Sequence, residues 1–419
     1  MKVISLFDGM ACGMLAFQSA GINVDRYVAF EIDKYAVQTS SHNFPIIEHC
    51  GDVFQADFSE FRGFDFLVGG SPCTYWSIAQ KNNRETEASG MGWELFSQYV
   101  RALREAQPLY FIYENNKSMA KAIRESITET FGFEPICINS ALVSAQNRQR
   151  LYWVGKRNAD GTYSRVKVDQ PKDRGILLRD ILDCGCSWMD KSFAYTTRCQ
   201  GATIKDTLER RRHTMVAAPV AINTTADGDK ARTLMAGYYK YGTATLITNE
   251  GFTGGTTAVA EPVGIGYMGR MENGKWVKRY ESNEEPKANA LTTAQTDSMV
   301  AESVPVFATP CEWGESGKPT KAIYCSDGKT YPVYEVKDGQ ITIKGKQYPI
   351  KLEDGFYIIR KLTISECKRL QTVPEWYEFP VSDTQAYKML GNGWTVEVIA
   401  HLIKATQSDE IEEEQLRWF

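Results

Sequence analysis

Cys73 is the residue of this chain best placed for covalent chemistry, at the end of Gly69-Gly70-Ser71-Pro72-Cys73. These five follow the strand-like run Phe64-Asp65-Phe66-Leu67-Val68, so a thiol is delivered on a tight turn at a strand's carboxyl end. In an open α/β sheet, ligands and chemistry gather at that edge. Pro72 pins the backbone just before the thiol, and the glycines permit a close turn. Such a thiol is either a nucleophile or a buried structural cysteine, the commonest state of a free one.

Three further groups bear on that choice. Glu114-Asn115-Asn116 follows the apolar run Leu109-Tyr110-Phe111-Ile112-Tyr113, which delivers it to the same edge. A carboxyl group there can hold a proton and pass it to a ring nitrogen, or it can cap the helix after Ser118. Gln146-Asn147-Arg148-Gln149-Arg150 leads into a strand over 151–154. Alternate arginines in extended structure face the same way, so Arg148 and Arg150 can converge on one anionic or carbonyl-rich ligand. Phe7-Asp8-Gly9-Met10-Ala11-Cys12-Gly13 is a glycine-containing loop after the first strand, the place of a cofactor cradle in doubly wound folds. It is not G-x-G-x-x-G, so a dinucleotide is not expected. Glu31 ends a second strand where a carboxylate would grip ribose hydroxyls, and Asp52 ends a short segment suited to an adenine amino group. The set fits an adenosine-containing ligand without a pyrophosphate, S-adenosyl-L-methionine first among them; otherwise Gly9 and Gly13 only make a tight turn.

A thiol, a protonatable carboxyl group, an arginine pair and a methyl-donor loop answer one chemical problem. Carbon 5 of cytosine is not nucleophilic until a thiolate adds at carbon 6. Protonation of nitrogen 3 and an arginine at oxygen 2 assist that addition. The ring edge is inaccessible in a duplex, so such chemistry requires the base to be flipped out.

The elements that must position these groups are legible over residues 1–155. Strand patterns at 2–7, 26–31, 65–68, 109–113 and 151–155 alternate with helical ones at 15–20, 35–43, 93–106 and 119–131. That alternation is the mark of a doubly wound, mostly parallel α/β sheet. Residues 160–355 are rich in Gly, Thr, Tyr and Asn, with short strand patterns and hardly a helix. Over 330–359 the pattern reads as β-hairpins, with an Asp-Gly turn in Lys337-Asp338-Gly339-Gln340. Helical periodicity returns at 363–371 and 395–406. The simplest architecture is a catalytic domain of residues 1–160 and 356–407 interrupted by a β-rich insertion, 161–355, and followed by an acidic tail, 408–419.

At 419 residues the chain suits two domains or one with a large insertion. No apolar run approaches a membrane span, the amino terminus does not read as a signal peptide, and the ten cysteines show no metal-type pairing. Reduced thiols in a cytoplasmic protein without zinc are expected. Net charge is −4, yet residues 148–215 hold 15 Lys/Arg against 8 Asp/Glu, including Arg210-Arg211-Arg212. Such a stripe faces phosphate or is solvated surface.

In ordered sequence these motifs resemble those of the DNA (cytosine-5) methyltransferase family, of bacterial and phage type. The cofactor and nucleophile motifs are similar to those of animal de novo methyltransferases. The match takes in the 7–13 loop, Glu31, Asp52, Gly70-Ser71-Pro72-Cys73, Glu114-Asn115 and Gln146-x-Arg148-x-Arg150. It continues in Arg360-Lys361-Leu362-Thr363 through Glu366, Arg369-Leu370-Gln371, Pro374 and Leu390-Gly391-Asn392-Gly393 with Val396.

The resemblance implies a Rossmann-like class I methyltransferase fold whose insertion is a target-recognition domain. It implies Cys73 as covalent nucleophile, Glu114 at nitrogen 3, Arg150 at oxygen 2, and Arg148 supporting the intermediate and nearby backbone. Phe7, Asp8, Gly9, Met10, Ala11, Cys12, Gly13, Glu31, Ile32, Asp52, Val53, Ser71, Pro72, Leu95, Asn392, Gly393 and Trp394 would line the cofactor. Pro72 and Asn115 would meet the base, and Arg198, Arg210, Arg211, Arg212 and Arg232 the DNA, mostly at phosphates. Double-stranded DNA is the implied partner, with a cognate restriction endonuclease as a further one and a monomer as the expected state. A tRNA cytosine-5 methyltransferase and a catalytically silent DNA-binding relative are the alternatives. Two positions depart from the family pattern: Thr74 stands where bacterial members usually have Gln, and Asn116 where Val usually follows Glu-Asn.

Overall fold

A computed structural model describes residues 1–72, 75–77, 84–183, 185–219, 264–272, 275–282, 299–300, 308–310, 322–325 and 330–416. For 219, 264–331, 356 and 409–416 the backbone alone is described. Cys73, Thr74 and Arg232 lie outside the described residues.

The first 165 residues hold nine strands, β1 (Lys2–Leu6), β2 (Arg26–Phe30), β3 (Ile47–His49), β4 (Phe66–Gly69), β5 (Tyr110–Asn116), β6 (Ile136–Asn139), β7 (Gln146–Asn147), β8 (Gln149–Arg157) and β9 (Tyr163–Arg165), of which all but β7 build one sheet. The order is β3-β2-β1-β4-β5-β8-β6, with β9 also on β8, while β7 pairs outside this sheet with Ser192–Phe193. β1 to β5 pair in parallel, and β8 runs antiparallel between β5 and β6. The reversal follows from chain length. β6 ends at Asn139 and β8 begins at Gln149, too close for the dozen or more residues of a parallel crossover. Strand order turns at β1 and β4, whose carboxyl ends therefore flank the crevice of the sheet.

Period-two alternation distributes each strand's side chains between two cores. Val3, Phe66, Val68, Tyr110 and Ile112 enter one; Ile4, Leu6, Leu67, Phe111 and Tyr113 enter the other. The first core is covered by α1 (Cys12–Ala20) and the second by α3 (Gly90–Ala106) and α4 (Lys121–Phe131), while α2 (Lys34–Asn43) joins β2 to β3. Beyond α5 (Ile204–Leu208) the chain returns through α6 (Ile364–Leu370), α7 (Asp383–Asn392) and α8 (Val396–Leu416), and α8 packs on α1. The helix expected over 395–406 thus runs on into the acidic segment, where glutamates are good helix formers.

Val166, Leu178, Ile181, Tyr195 and Cys199 share the first core, so packing on the large sheet continues beyond residue 160. A separate small core joins Ala202, Met215 and Ala217 to Val336, Ile341, Ile350, Tyr357 and Ile359. Its strand Met215–Pro219 pairs antiparallel with Gly355–Lys361, which pairs in turn with Thr330–Lys337. The Asp-Gly turn forms as its sequence predicts: Asp338 and Gly339 have φ of 53° and 67°, the two positive values of a type I′ hairpin. Among the described residues no helix is long and apolar enough to cross a membrane.

Candidate active site

The loop after β1 is wound by positive φ at Phe7 (58°), Gly9 (60°) and Ala11 (58°). It leaves Phe7 and Gly9 half-buried and buries Asp8, Met10, Ala11, Cys12 and Gly13. Asp8 Oδ1 accepts from Ser5 Oγ at 2.6 Å and Tyr27 OH at 2.7 Å. Its Oδ2 is buried without a hydrogen-bond partner among the described residues. Burial pushes the Asp8 carboxyl up to about 7 against those two hydrogen bonds, and the nearby Glu31 charge adds to the rise. Asp8 therefore anchors the loop from beneath. Burial likewise lifts the Cys12 thiol to about 12, so Cys12 is a packing residue.

Glu31 closes the loop from the neighbouring strand. Its Oε2 accepts Gly9 N–H and its Oε1 accepts Ile32 and Asp33 N–H, each at 2.8 Å. Ile32 is 77% and Phe54 42% exposed, while Val53 is buried and Asp52 caps the turn after it by accepting Phe54 N–H at 3.0 Å. Leu95 is half-buried on α3.

At the end of β4, Gly69 and Gly70 are glycines because neighbouring backbone is too close for a side chain. A Cβ on Gly70 would stand 2.7 Å from Glu114 O and 2.8 Å from Glu114 Oε2. Ser71 Oγ and Tyr113 OH share a 2.7 Å hydrogen bond, and Asn115 Nδ2 donates to Ser71 O at 3.2 Å. The chain just before Cys73 is thus tied to β5. Asn116 is buried, donates its N–H to Asn115 Oδ1 and accepts from Ser118 Oγ. A polar residue at this position is accommodated by local hydrogen bonds.

Glu114 is the centre of the arrangement. Its Oε1 lies 3.0 Å from Arg150 Nε, and its Oε2 accepts the Trp394 indole N–H at 3.0 Å. Arg148 does not join it. That guanidinium donates to Tyr195 O at 2.6 Å, Gly393 O at 2.9 Å and, more weakly, Gly391 O. In the described contacts the two arginines divide: Arg150 holds the carboxylate, and Arg148 the loop that brings Trp394 to it. The reason is that Arg148 lies between β7 and β8 rather than inside a continuous strand.

The 391–394 loop is held further by residues the sequence reading left without a role. Gln371 Nε2 donates to Leu390 O at 2.7 Å, and its Oε1 accepts from Gln146 Nε2 and Thr395 Oγ1. Gly393 lies against Cys12, where a Cβ would come 3.1 Å from the sulfur, and Tyr377 OH donates to Met10 O at 2.6 Å. Asn392 is exposed. The family resemblance takes in Arg369-Leu370-Gln371, but only the long-range hydrogen bonds show what Gln371 holds.

On the other side, Arg198, Arg210, Arg211 and Arg212 are exposed. Arg210 pairs with Asp206 one helical turn away at 2.8 Å. None of the four enters the Glu114 cluster.

Sheet order, glycine loop and the carboxylate at the strand ends together define a Rossmann-like class I methyltransferase fold. Family comparison then narrows it. The C-5 cytosine-specific DNA methylase model matches residues 1–408, and the chain belongs to that family: it is a DNA (cytosine-5) methyltransferase. It is similar to the orphan methyltransferase M.SPRI of Bacillus phage SPR, 26% identical over 96% of this chain and 97% of that protein. Similarity to the type II methyltransferase M1.ScrFI of Lactococcus lactis subsp. cremoris is 28% over 59% of this chain and 64% of that one. Among solved structures, a Spodoptera frugiperda DNMT2 is 14% identical, with a TM-score of 0.49 over 96% of this chain and 98% of that one.

Proposed function

We propose that this chain transfers the methyl group of S-adenosyl-L-methionine to carbon 5 of a flipped-out cytosine in a specific duplex DNA sequence, through a covalent adduct with Cys73. The observation that carries the reading is Glu114, held between Arg150 and Trp394 at the edge where the 7–13 loop and Gly70-Ser71-Pro72 also end.

The residues fit the donor. Glu31 offers carboxylate lone pairs for ribose hydroxyls, and Asp52 and Val53 border the adenine place. Exposed Ile32 would supply an apolar face for a ring, and Phe7 and Leu95 would serve in the same role. The first N–H groups of α1 have no side-chain cap, which suits a carboxylate. Gly9, Met10, Ala11, Cys12 and Gly13 shape that terminus, and Ser71, Pro72, Asn392, Gly393 and Trp394 border the methionine end. When bound, the donor supplies an electrophilic methyl group and leaves as S-adenosyl-L-homocysteine.

The chain's own groups do the rest. The Cys73 thiolate forms a bond to carbon 6 while Glu114 gives a proton to nitrogen 3, so electron density reaches carbon 5. Arg150 turns from Glu114 to oxygen 2, and Pro72 and Asn115 border the base. Once carbon 5 carries the methyl group, its proton passes to water, the carbon 6–sulfur bond breaks to release the Cys73 thiolate, and nitrogen 3 returns its proton to Glu114. Arg148 acts through the 391–394 loop.

The proposed organisation takes residues 1–160 and 356–407 as the catalytic domain, 161–355 as an insertion whose first part packs on that domain and whose remainder serves target recognition, and 408–419 as an acidic tail. Arg198, Arg210, Arg211, Arg212 and Arg232 would meet DNA, chiefly its phosphates. The enzyme would act as a cytoplasmic monomer, beside a restriction endonuclease of the same specificity where one is encoded. The test is incubation with S-adenosyl-L-methionine and unmethylated genomic DNA, alongside Cys73→Ala, with 5-methylcytosine mapped at base resolution and tRNA assayed in parallel. Methylation at one short DNA motif, absent in the variant, is expected; methylation of tRNA alone overturns the DNA reading.

A further inference from the structure

Trp76, three residues after Cys73, is fully buried in the second core. Its indole N–H donates to Glu85 Oε2 at 3.0 Å. The same carboxylate accepts Gly92 N–H in the first turn of α3, at 3.2 and 3.1 Å to its two oxygens, and Glu85 N–H donates to Tyr75 O at 2.9 Å. Space here is tight: a Cβ on Gly92 would stand 2.5 Å from both Glu85 Oε2 and Trp76 Nε1. Arg84 completes the set, its Nε donating to Trp76 O at 3.2 Å and its Nη2 to Ser118 O at 2.8 Å. Ser118 donates in turn to Asn116, two residues after Glu114.

Described residues on either side of position 73 are therefore both fastened. Before it, Ser71 is fastened to Tyr113 and Asn115 of β5. After it, Trp76 is fastened through Arg84 to the segment that continues β5. A planar guanidinium with several donors can join two carbonyls at once, which an ammonium does less well. Glu85 anchors the same turn to the positive end of α3.

We propose that Arg84 and Glu85 are positioning residues: a clasp that fixes the chain following Cys73 against the chain following Glu114. The proposal rests on the reading of Cys73 and Glu114 as the reacting pair. Misplacement of reacting groups by about 1 Å costs on the order of 100-fold in rate.

The experiment compares Arg84→Met, Arg84→Lys, Glu85→Ala and Glu85→Gln in the full chain. Methyl transfer to duplex DNA is measured, with hydrogen exchange at the Glu85 and Gly92 amides and the rate of Cys73 alkylation by iodoacetamide. For Arg84→Met and Glu85→Ala, kcat is expected to fall about 10- to 100-fold, with KM for DNA and for S-adenosyl-L-methionine each within about twofold. Both amides should exchange faster, Cys73 alkylation should change, and Arg84→Lys and Glu85→Gln should recover part of each effect. Wild-type exchange and alkylation in both truncated variants overturn the clasp, as does a loss confined to KM for DNA, which would make Arg84 a DNA contact. Full methyl transfer by Cys73→Ala would instead sink the underlying reading, and exchange and alkylation would still decide whether the clasp holds the segment.

Discussion

Arg148 and Arg150 at the sheet edge and Arg210, Arg211 and Arg212 beyond it are the same residue type in opposite circumstances. Arg148 is 4% exposed and donates to three backbone carbonyls, while Arg150 faces the Glu114 carboxylate with its side chain 15% exposed. The later three stand in solvent, and among the described residues the Arg210 guanidinium pairs only within its own helical turn. A buried guanidinium is specified by every acceptor around it, so its loss disturbs a fixed arrangement. An exposed one is specified by little and contributes mainly charge. Sequence position separates them by only some sixty residues; burial separates what each does.

That contrast can be broken most directly at Glu114. Glu114→Gln is expected to lower single-turnover methyl transfer roughly 10²- to 10⁴-fold while S-adenosyl-L-methionine binding, followed by calorimetry, stays near wild type. An active variant would remove the edge cluster from the chemistry. Next comes Asp8, whose carboxyl is pushed up to about 7 in the folded protein. The folded state then holds a proton that the unfolded chain releases near 3.8, so stability falls as pH rises from about 4 through 7, by on the order of 3–4 kcal/mol. Urea unfolding across that range should show the slope, and Asp8→Asn should flatten it. An unchanged slope in the variant would assign the dependence to other groups.

Arg148→Met leaves the carbonyls of Tyr195, Gly391 and Gly393 without that donor and should destabilise by roughly 2–3 kcal/mol in urea unfolding. A neutral result would place Arg148 with the exposed set. Arg211→Ala and Arg212→Ala should be smallest. Each should leave the melting temperature unchanged, weaken DNA binding across all sequences, and lower the salt slope by about 1 where it touches phosphate. A change of sequence preference would promote either one from charge to base reading.

Much of the sheet was legible because its strands alternate with helices and carry their distinctive residues at the ends. The 7–13 loop, Glu31, Gly70-Ser71-Pro72 and Glu114 all fall at one edge, as loops after parallel strands must. Legibility failed where a short segment or a distant partner decides the outcome. β3 and β6 span three and four residues, too few to show a period. α7 has polar residues at most of its exposed positions and was not anticipated. Asp8 reads as a ligand contact in a glycine loop, yet its partners Ser5 and Tyr27 face it from beneath the sheet edge. Arg148 and Arg150 share a motif, but the acceptors that divide them belong to residues 114, 195 and 391–393. Trp394 stood among the expected cofactor residues, with nothing local to reveal its bond to Glu114.

The bond between Trp394 and Glu114 spans 280 residues of chain. At roughly 5–20 residues per second of synthesis, the indole emerges on the order of 15–55 s after the carboxylate. During that interval the first sheet can form with Glu114 at its edge but without the loop that supplies Trp394. The surroundings of Glu114 are thus completed by one of the last segments of the chain to be made.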